Sequence, residues 1–534
     1  MRASQADQFQ QHVHNQLSKW VGGIPMLMPI LQELGIGEIV DEHCPGKEQV
    51  SHGTAITALV LNRLLSPRPL YKVEEWLAGT ILEDVLAIDA AQLYDSRLGR
   101  TLDDIQTELA AIWQEIVVRA VLSYDIDLRF LHYDITSIFF EGEYRQSKTI
   151  EYGYSRDKRP DAKQINLGIN VTGDAGIPLA YRVLAGRTAD RTTPLENMQA
   201  VRALWDRPEL AERARDFLLV SDRAMLDRAV IVASEEKGIR WLGPLAADGN
   251  LQVVLASVSN DELETHPLDY RPLDQPSDEP PRYQGVLCQA TIEYEGQTVC
   301  VPVLVVKSRN KVKLDQERRT TYLKRLTDRL DALAGMLNTR RYKSKAYAQR
   351  QIDNACQGNP ASQFVDIELA GSDGELVLTY RVNPEKLAAA ADLDGRYLLG
   401  TNQHTLDAHE MLRHFKRQEI IERRIKTVKG PIAVRPLFLH KELHKEGRIE
   451  GLVFVTMVAL LIYTILEMLC RRAGEHITAR QVLERFERLG ATYIQFGDSS
   501  WLKLASALTT HQQHLIDLLT FPPPDAYFAP TEVT

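Results

Sequence analysis

Three acids stand out by what surrounds them. Asp134 lies inside Arg129-Phe130-Leu131-His132-Tyr133-Asp134-Ile135-Thr136-Ser137-Ile138-Phe139-Phe140, an apolar and β-branched run with the composition of a strand. A carboxylate in such a run is costly to bury unless it is paired or bound to a metal. Asp222 closes a second apolar run, Phe217-Leu218-Leu219-Val220-Ser221-Asp222, and strand ends are where α/β sheets present functional groups. Glu422 sits in a helical stretch. Spacings of three, four and seven put Phe415, Gln418, Glu422 and Lys429 on one face of it. Taken singly, each acid reads as a surface charge. Together they have the chemistry of a divalent-metal site, since hard carboxylate oxygens suit Mg2+. Two such ions about 3.5–4 Å apart activate a weak nucleophile and stabilise a leaving oxygen, as phosphodiester cleavage or transfer requires. The acids are far apart in sequence, so only a fold can gather them.

Periodicity says which elements must do so. Residues 1–122 read as a helical domain, with apolar residues at helical spacing through Ile30-Leu31-Leu34 and Ile56-Leu59-Val60-Leu64. Its Arg63, Arg68 and Lys72 form either a phosphate contact or a solvated face. Residues 123–248 change to strands (130–140, 164–171, 179–184, 217–220, 241–245) alternating with helices (192–205, 226–237), which predicts a mixed sheet covered by helices. An insertion at 249–395 follows, Pro-rich at first, with strand signals at 286–294 and 303–306 and a basic helical stretch at 311–350. There Leu323, Leu326, Leu330, Leu333 and Leu337 keep a heptad seam for only two heptads, which predicts a packed helical hairpin. Strands at 364–369, 375–382 and 396–401 lead into a basic helix at 406–429 and an apolar helix at 451–469. The second part of the sheet domain is expected at 396–475, and a tail with short helical pieces at 476–534. The apolar stretch 451–466 falls short of the roughly 20 residues a membrane span needs and reads as a core helix.

Composition narrows the classes. At 534 residues the chain is long enough for two to four domains. A net charge of -9 excludes a uniformly basic binder, so any nucleic-acid surface is a local patch. Cys44, Cys288, Cys300, Cys356 and Cys470 are scattered and never form a Cys-x-x-Cys pair, which fits a reduced cytoplasm and gives no zinc signature. The N-terminal Met-Arg-Ala-Ser-Gln-Ala-Asp-Gln lacks the apolar core of a signal peptide, so a cytoplasmic protein is expected.

In their contexts the three acids resemble those of bacterial insertion-sequence transposases of the DDE type, with a ribonuclease-H-like catalytic core. The resemblance runs through Tyr133-Asp134-Ile135-Thr136-Ser137 and Gly153-Tyr154-Ser155-Arg156-Asp157-Lys158-Arg159-Pro160-Asp161. It continues in Gln164-Ile165-Asn166-Leu167-Gly168 and Val220-Ser221-Asp222-Arg223, then Asp394-Gly395-Arg396-Tyr397, Thr401-Asn402, Ile421-Glu422, Lys429 and Arg435-Pro436. It covers about 125–470, and the helical segment at 1–122 is similar to one often fused ahead of such cores. It implies an α/β (α+β) fold, a ribonuclease-H-like mixed sheet flanked by helices and interrupted by a strand-containing insertion.

It also implies an enzyme that binds the terminal inverted repeats of its element, cleaves at the ends and joins them to target DNA. Asp134, Asp222 and Glu422 would be catalytic residues and ligands of Mg2+, with Mn2+ as the alternative ion. Double-stranded DNA is the expected partner, met by a homodimer, with no membrane involved. The family often carries Tyr, Arg, Glu and Lys around the last acid. Glu422 and Lys429 match, whereas Phe415 and Gln418 stand at the Tyr and Arg positions. Lys429, Arg417, Arg423, Lys426 and Arg435 are the expected DNA contacts, with Arg413 as a further neighbour, within basic stretches at 307–350 and 411–448. Asp125, Asp127, Asp227 and Glu419 read as surface or helix-end charges, and neither Glu141 nor Asp157 has a metal-facing position. The alternatives are a catalytically inactive DNA-binding protein derived from a transposase, and a nuclease on the same core.

Overall fold

The run from Phe130 to Phe140 forms one unbroken strand in the computed structural model. The structure describes residues 13–140, 144, 147–189, 193–213, 217–222, 226–271, 282–432, 446–496 and 500–528. The chain opens with β1 (Val13–Trp20) and the helices α1 (Ile24–Glu33), α2 (Ile36–His43), α3 (His52–Leu65), α4 (Asp95–Asp104) and α5 (Leu109–Tyr124). Then come β2 (Phe130–Phe140), β3 (Lys163–Thr172), β4 (Pro178–Ala185), α6 (Pro194–Trp205) and β5 (Leu218–Val220). The middle of the chain holds α7 (Arg228–Glu236), β6 (Arg240–Leu245), β7 (Tyr283–Tyr294), β8 (Gln297–Ser308), α8 (Arg309–Met336) and α9 (Lys345–Cys356). It continues with β9 (Val365–Ala370), β10 (Val377–Val382), β11 (Arg396–Thr401) and α10 (Ala408–Lys416). The last elements are α11 (Glu419–Lys429), α12 (Glu446–Arg472), α13 (Ala479–Phe486), β12 (Gly490–Phe496), β13 (Ser500–Ala505) and α14 (Thr510–Leu519). Short helices and turns link them. The chain is a mixed α/β protein with a mixed sheet and a helical N-terminal region.

Two units divide it: residues 1–220 with 417–534, and residues 221–416. In the first, β2, β3 and β4 form an antiparallel meander. The chain then crosses over through α6, and β5 pairs parallel to β2 on its free side, giving the order β4-β3-β2-β5. The sheet is therefore mixed, as the strand and helix pattern predicts. The core of the unit is α12. It is longer than expected, long and apolar enough to cross a membrane, but its apolar stretch is 94% buried and packs against α1, α3, α4, α5 and β4, as a core helix does.

The same unit holds a second sheet, in the order β1-β12-β13, that the sequence does not announce. Residues 1–122 are expected to be helical and the tail to hold helical pieces. α13 and α14 meet the latter expectation, while β1, β12 and β13 correct both. Trp20 of β1 lies opposite Gly490 and Leu17 opposite Tyr493, so strands from the two ends of the chain complete one another.

In the second unit β6, β11, β8 and β7 are neighbours in that order, and the β11–β6, β11–β8 and β8–β7 pairs are antiparallel. α8 and α9 fold back on each other as the expected hairpin. With the two-stranded β9–β10 they close a small core around Leu326, Leu330, Leu333, Ile352 and Phe364. Leu330 is fully buried there. Leu330→Ala should cost about 2–5 kcal/mol locally. Limited proteolysis should then cut within 337–344 at lower protease concentration than in the parent chain, with cleavage elsewhere unchanged.

Candidate active site

Asp134 sits midway along β2, opposite Ile169 of β3, between buried Tyr133 and buried Ile135. Its own carboxylate is half-buried, and Oδ1 accepts the backbone N–H of Ile135 at 2.7 Å. On the other side of β2 the parallel ladder to β5 pairs Phe130 with Leu218, Leu131 with Leu219 and His132 with Val220. Asp222 is exposed and follows that strand in the chain by two residues, at the start of the second unit.

Glu422 lies on α11, which packs against β2 within the first unit. The helix buries Ile421, Arg424, Thr427 and Val428 and leaves Glu422 exposed. Asp134 and Glu422 thus share one unit. Among the described residues, no group of three or more His, Cys, Asp or Glu side chains gathers closely enough to hold a metal ion. The donors are nevertheless of the type Mg2+ prefers, carboxylate oxygens that are exposed or half-buried.

The expected helix over 406–429 is two helices, and the arrangement of four signature residues on one face is not formed. Phe415 belongs to α10, where its ring lies 6.5 Å from that of Tyr397. Next to it Lys416 sits 4.6 Å from the Tyr283 ring centroid and 5.8 Å from that of Tyr397. Gln418 stands at the N-cap of α11 and makes no capping hydrogen bond with its side chain. The physical reason is that the two halves answer to different cores: Phe415 and Lys416 to an aromatic cluster in the second unit, Ile421 and Arg424 to the interior of the first. Only Glu422 and Lys429 share a helix.

Lys429 is largely buried, and its Nζ donates to Asp157 Oδ1 at 2.9 Å. Asp157 is the partner that sequence reasoning left without a role, although it stands in the middle of the Gly153–Asp161 motif. Arg417, Arg423 and Lys426 are exposed, and Arg435 lies outside the described residues, as do Glu141 and Arg223. The competing acids are structural. Asp127 pairs with Arg129 at 2.7 Å, which holds its carboxyl below the usual range with a further contribution from Arg417. Asp125 pairs with Arg213, and Asp227 caps α7 by accepting the N–H of Val230 at 2.9 Å.

Much of the remaining motif content is scaffold. Gln164 and Asn166 donate to the carbonyls of Tyr154, Gly186 and Thr188, which ties the loop after β2 to the end of β4. Gly153 passes so close that a Cβ there would lie 1.9 Å from the Gly186 carbonyl oxygen. In the second unit Asp394 pairs with Arg319 of α8. There Arg396 donates to the Leu255 and Val258 carbonyls, and Asn402 both accepts from Trp241 N (2.8 Å) and donates to Ile239 O (2.9 Å).

Comparison with known proteins adds a family model and a few folds. Residues 18–118 match a domain of unknown function, DUF4277. No curated protein matches. Among solved structures the chain is similar to the piggyBac transposase synaptic complex with hairpin DNA, at 9% identity and a TM-score of 0.40, covering 86% of this chain and 79% of that one. It is also similar to the pre-cleavage Mos1 transpososome, at 17% identity and a TM-score of 0.16, and to the Mos1 paired-end complex with the left transposon end, at 16% and 0.15. Each of these two covers 38% of this chain, which spans 60% and 59% of the respective Mos1 chains.

The position of α11 rests on Arg424. Its guanidinium meets Glu467 of α12 at 2.6 Å and donates to the carbonyls of Gly176 (3.0 Å) and Ala175 (2.6 Å) in the β3–β4 turn. Glu467 in turn accepts from Ala479 N at the start of α13 at 3.1 Å. Gly176 has φ +66, and a Cβ there would sit 2.6 Å from Arg424 Nε. Burial pushes the Arg424 pKa down, and the Glu467 carboxylate opposes that shift. Arg424→Ala should therefore destabilise the first unit by about 3–5 kcal/mol, because it strands a buried carboxylate. The double change Arg424→Met with Glu467→Leu should regain most of that loss. Urea denaturation of the three proteins checks both, and a double variant no more stable than Arg424→Ala would refute the buried-charge account.

Proposed function

We propose that the chain is a DNA transposase that binds the terminal inverted repeats of an insertion sequence, cleaves at the ends and joins them to target DNA, with Asp134, Asp222 and Glu422 as its catalytic carboxylates. The observation that carries this reading is the β2–β5 ladder. His132 pairs with Val220; Asp134 follows the first by two residues within β2, and Asp222 follows the second by two residues beyond the end of β5. Two residues of chain reach at most about 7 Å, so Asp222 stays within that reach of the end of β5, the strand that pairs with the one carrying Asp134. α11, packed on β2, supplies the third acid.

These residues fit Mg2+, or Mn2+, and would hold it through carboxylate oxygens; the bound ions would activate water or a 3′-hydroxyl and steady the leaving oxygen. The protein's own contribution is to aim the carboxylates and to hold the phosphate backbone. Lys429, Arg417, Arg423 and Lys426 cluster on and beside α11 for that purpose. A phosphate reaching Lys429 must compete with Asp157, which holds its ammonium at 2.9 Å. Because an element has two ends, a homodimer on DNA is part of the reading, as is a cytoplasmic location.

The test uses the full chain and a duplex carrying the flanking ends of its element, with and without Mg2+. Asp134→Asn, Asp222→Asn and Glu422→Gln keep size but lose charge, so end cleavage and joining should each fall more than about 100-fold, beyond what outer-shell changes at metal sites cost. Binding of the ends should stay within about threefold, since it rests on the cations. Lys429→Ala should instead lower the slope of log affinity against log salt by about one. Normal cleavage by the Asp222→Asn protein would return the chain to a DNA-binding role without catalysis.

A further inference from the structure

Between α8 and α9 the chain turns through 337–344, and its charge there is strongly one-sided. From Leu337 to Arg350 the sequence holds five cations, Arg340, Arg341, Lys343, Lys345 and Arg350, and no acid, in a chain whose net charge is -9. The rod of α8 differs. Its eight Lys and Arg residues are interleaved with four Asp and Glu, and several are spoken for: Lys311 pairs with Asp315, and Arg319 with Asp394. Arg340, Arg341 and Lys343 are exposed, and none has an ion-pair partner among the described residues.

The turn is held in shape by the neighbouring β9–β10 connection. Asn338 donates to Leu376 O (2.9 Å) and accepts from Leu376 N (2.7 Å). Gly374 N donates to Lys343 O (2.8 Å), and Lys345 N donates to Asp373 Oδ1 (2.9 Å). Tyr342 and Tyr347 meet edge to face at 5.1 Å beneath it. Asn338 and Arg340 take left-handed backbone conformations, φ 63 and φ 40, that this bracing sustains. The result is an open cavity of about 570 Å³ lined by Arg340, Arg341, Lys343, Ser344, Tyr347 and Asp373. Its one acid is already committed to the Lys345 N–H. Ser344 stands at the N-cap of α9, so the partial positive charge of that helix start adds to the field.

We infer that this turn is a second phosphate-binding site, one that grips the backbone of duplex DNA in addition to the cations of α11; the inference rests on the transposase reading. The 28 residues of α8 begin where β8 ends and, at 1.5 Å per residue, carry the turn about 40 Å from that strand. Duplex DNA presents a negative charge every 1.7 Å or so along its axis, so a short braced cluster finds phosphates without sequence matching. Two of the three exposed cations are arginines, whose planar forks pair with phosphate oxygens in bidentate fashion. An acidic protein fits less well, because protein interfaces centre on a desolvated apolar patch and disfavour lysine. Three of the seven residues lining this cavity are cations.

The test compares three full-length proteins on a duplex bearing the element's ends and on a random duplex of equal length. The first is the parent, the second carries Arg340→Gln, Arg341→Gln and Lys343→Gln, and the third carries Arg318→Gln, Arg325→Gln and Arg329→Gln in the rod of α8. Far-UV circular dichroism and thermal unfolding confirm that all three fold. The turn variant should lower the salt slope by nearly three on both duplexes, since each lost contact removes about 0.9. The rod variant should lower it by less than one. A parent that binds neither duplex sinks the transposase reading itself. A parent that binds normally while the turn variant keeps the parent's slope overturns only this site, and leaves an acidic protein as the partner of the turn. Equal losses in both variants also overturn it, because they mark a diffuse field and not a built site.

Discussion

Arg424 and Glu467 form a buried ion pair at a junction of four elements, and the candidate site depends on it. Both side chains are almost fully removed from water, at 3% and 7% exposure. Desolvating two charges is worthwhile only if every remaining donor and acceptor finds a partner. Here each nitrogen and each carboxylate oxygen has one: the guanidinium donates to two carbonyls of the β3–β4 turn as well as to the carboxylate, and the carboxylate accepts the first free N–H of α13. The pair therefore fixes the rotation of α11 about its own axis. Two residues along a helix turn by about 200°, so an inward Arg424 requires an outward Glu422. The exposure of that acid follows from a charge buried on the opposite side.

What could be read from the sequence was whatever local pattern determines. The strand around Asp134 begins and ends where its apolar and β-branched run does. Strands β3 and β4 and helices α6 and α7 fall within a few residues of their expected bounds, because turn residues and periodicity mark them. The leucine seam of α8 correctly indicated a hairpin, since two heptads bury too little to support a long coiled coil. The sheet of β1, β12 and β13 was not legible. β1 reads Val-His-Asn-Gln-Leu-Ser-Lys-Trp, polar and with no partner nearby in sequence, and only its pairing with β12 makes it a strand.

The site shows the same division. Residue types single out Asp134, Asp222 and Glu422 as candidates, and helical spacing joins Glu422 to Lys429 on one helix, as the structure has them. Spacing could not reveal that the helix breaks after Lys416, because residues 408–429 are helical in pattern throughout; the break reflects two cores pulling on one sequence. Nor could it reveal the bond from Lys429 to Asp157, since nothing local links two residues on a loop and a helix so far apart. Several motifs that resemble a catalytic family also prove to be joinery: Gln164, Asn166, Arg396 and Asn402 all spend their side chains on backbone groups. Such residues have geometric roles, and their presence says that a sheet is assembled before it says what the sheet does.

The pairing of β1 with β12 also sets a timetable. Residues 13–20 are synthesised long before their strand partner, residues 490–496. At about 5–20 residues per second, the first strand waits roughly 25 to 100 s for the segment it pairs with. During that interval α12, the apolar centre of the same unit, has not been made either, so α1, α3 and α4 lack the surface they pack on. The unit that carries Asp134 and Glu422 is therefore completed only after residues 490–496 have been made. A nascent chain stalled before residue 446 would hold Asp134 and Glu422 without the helix that centres their unit.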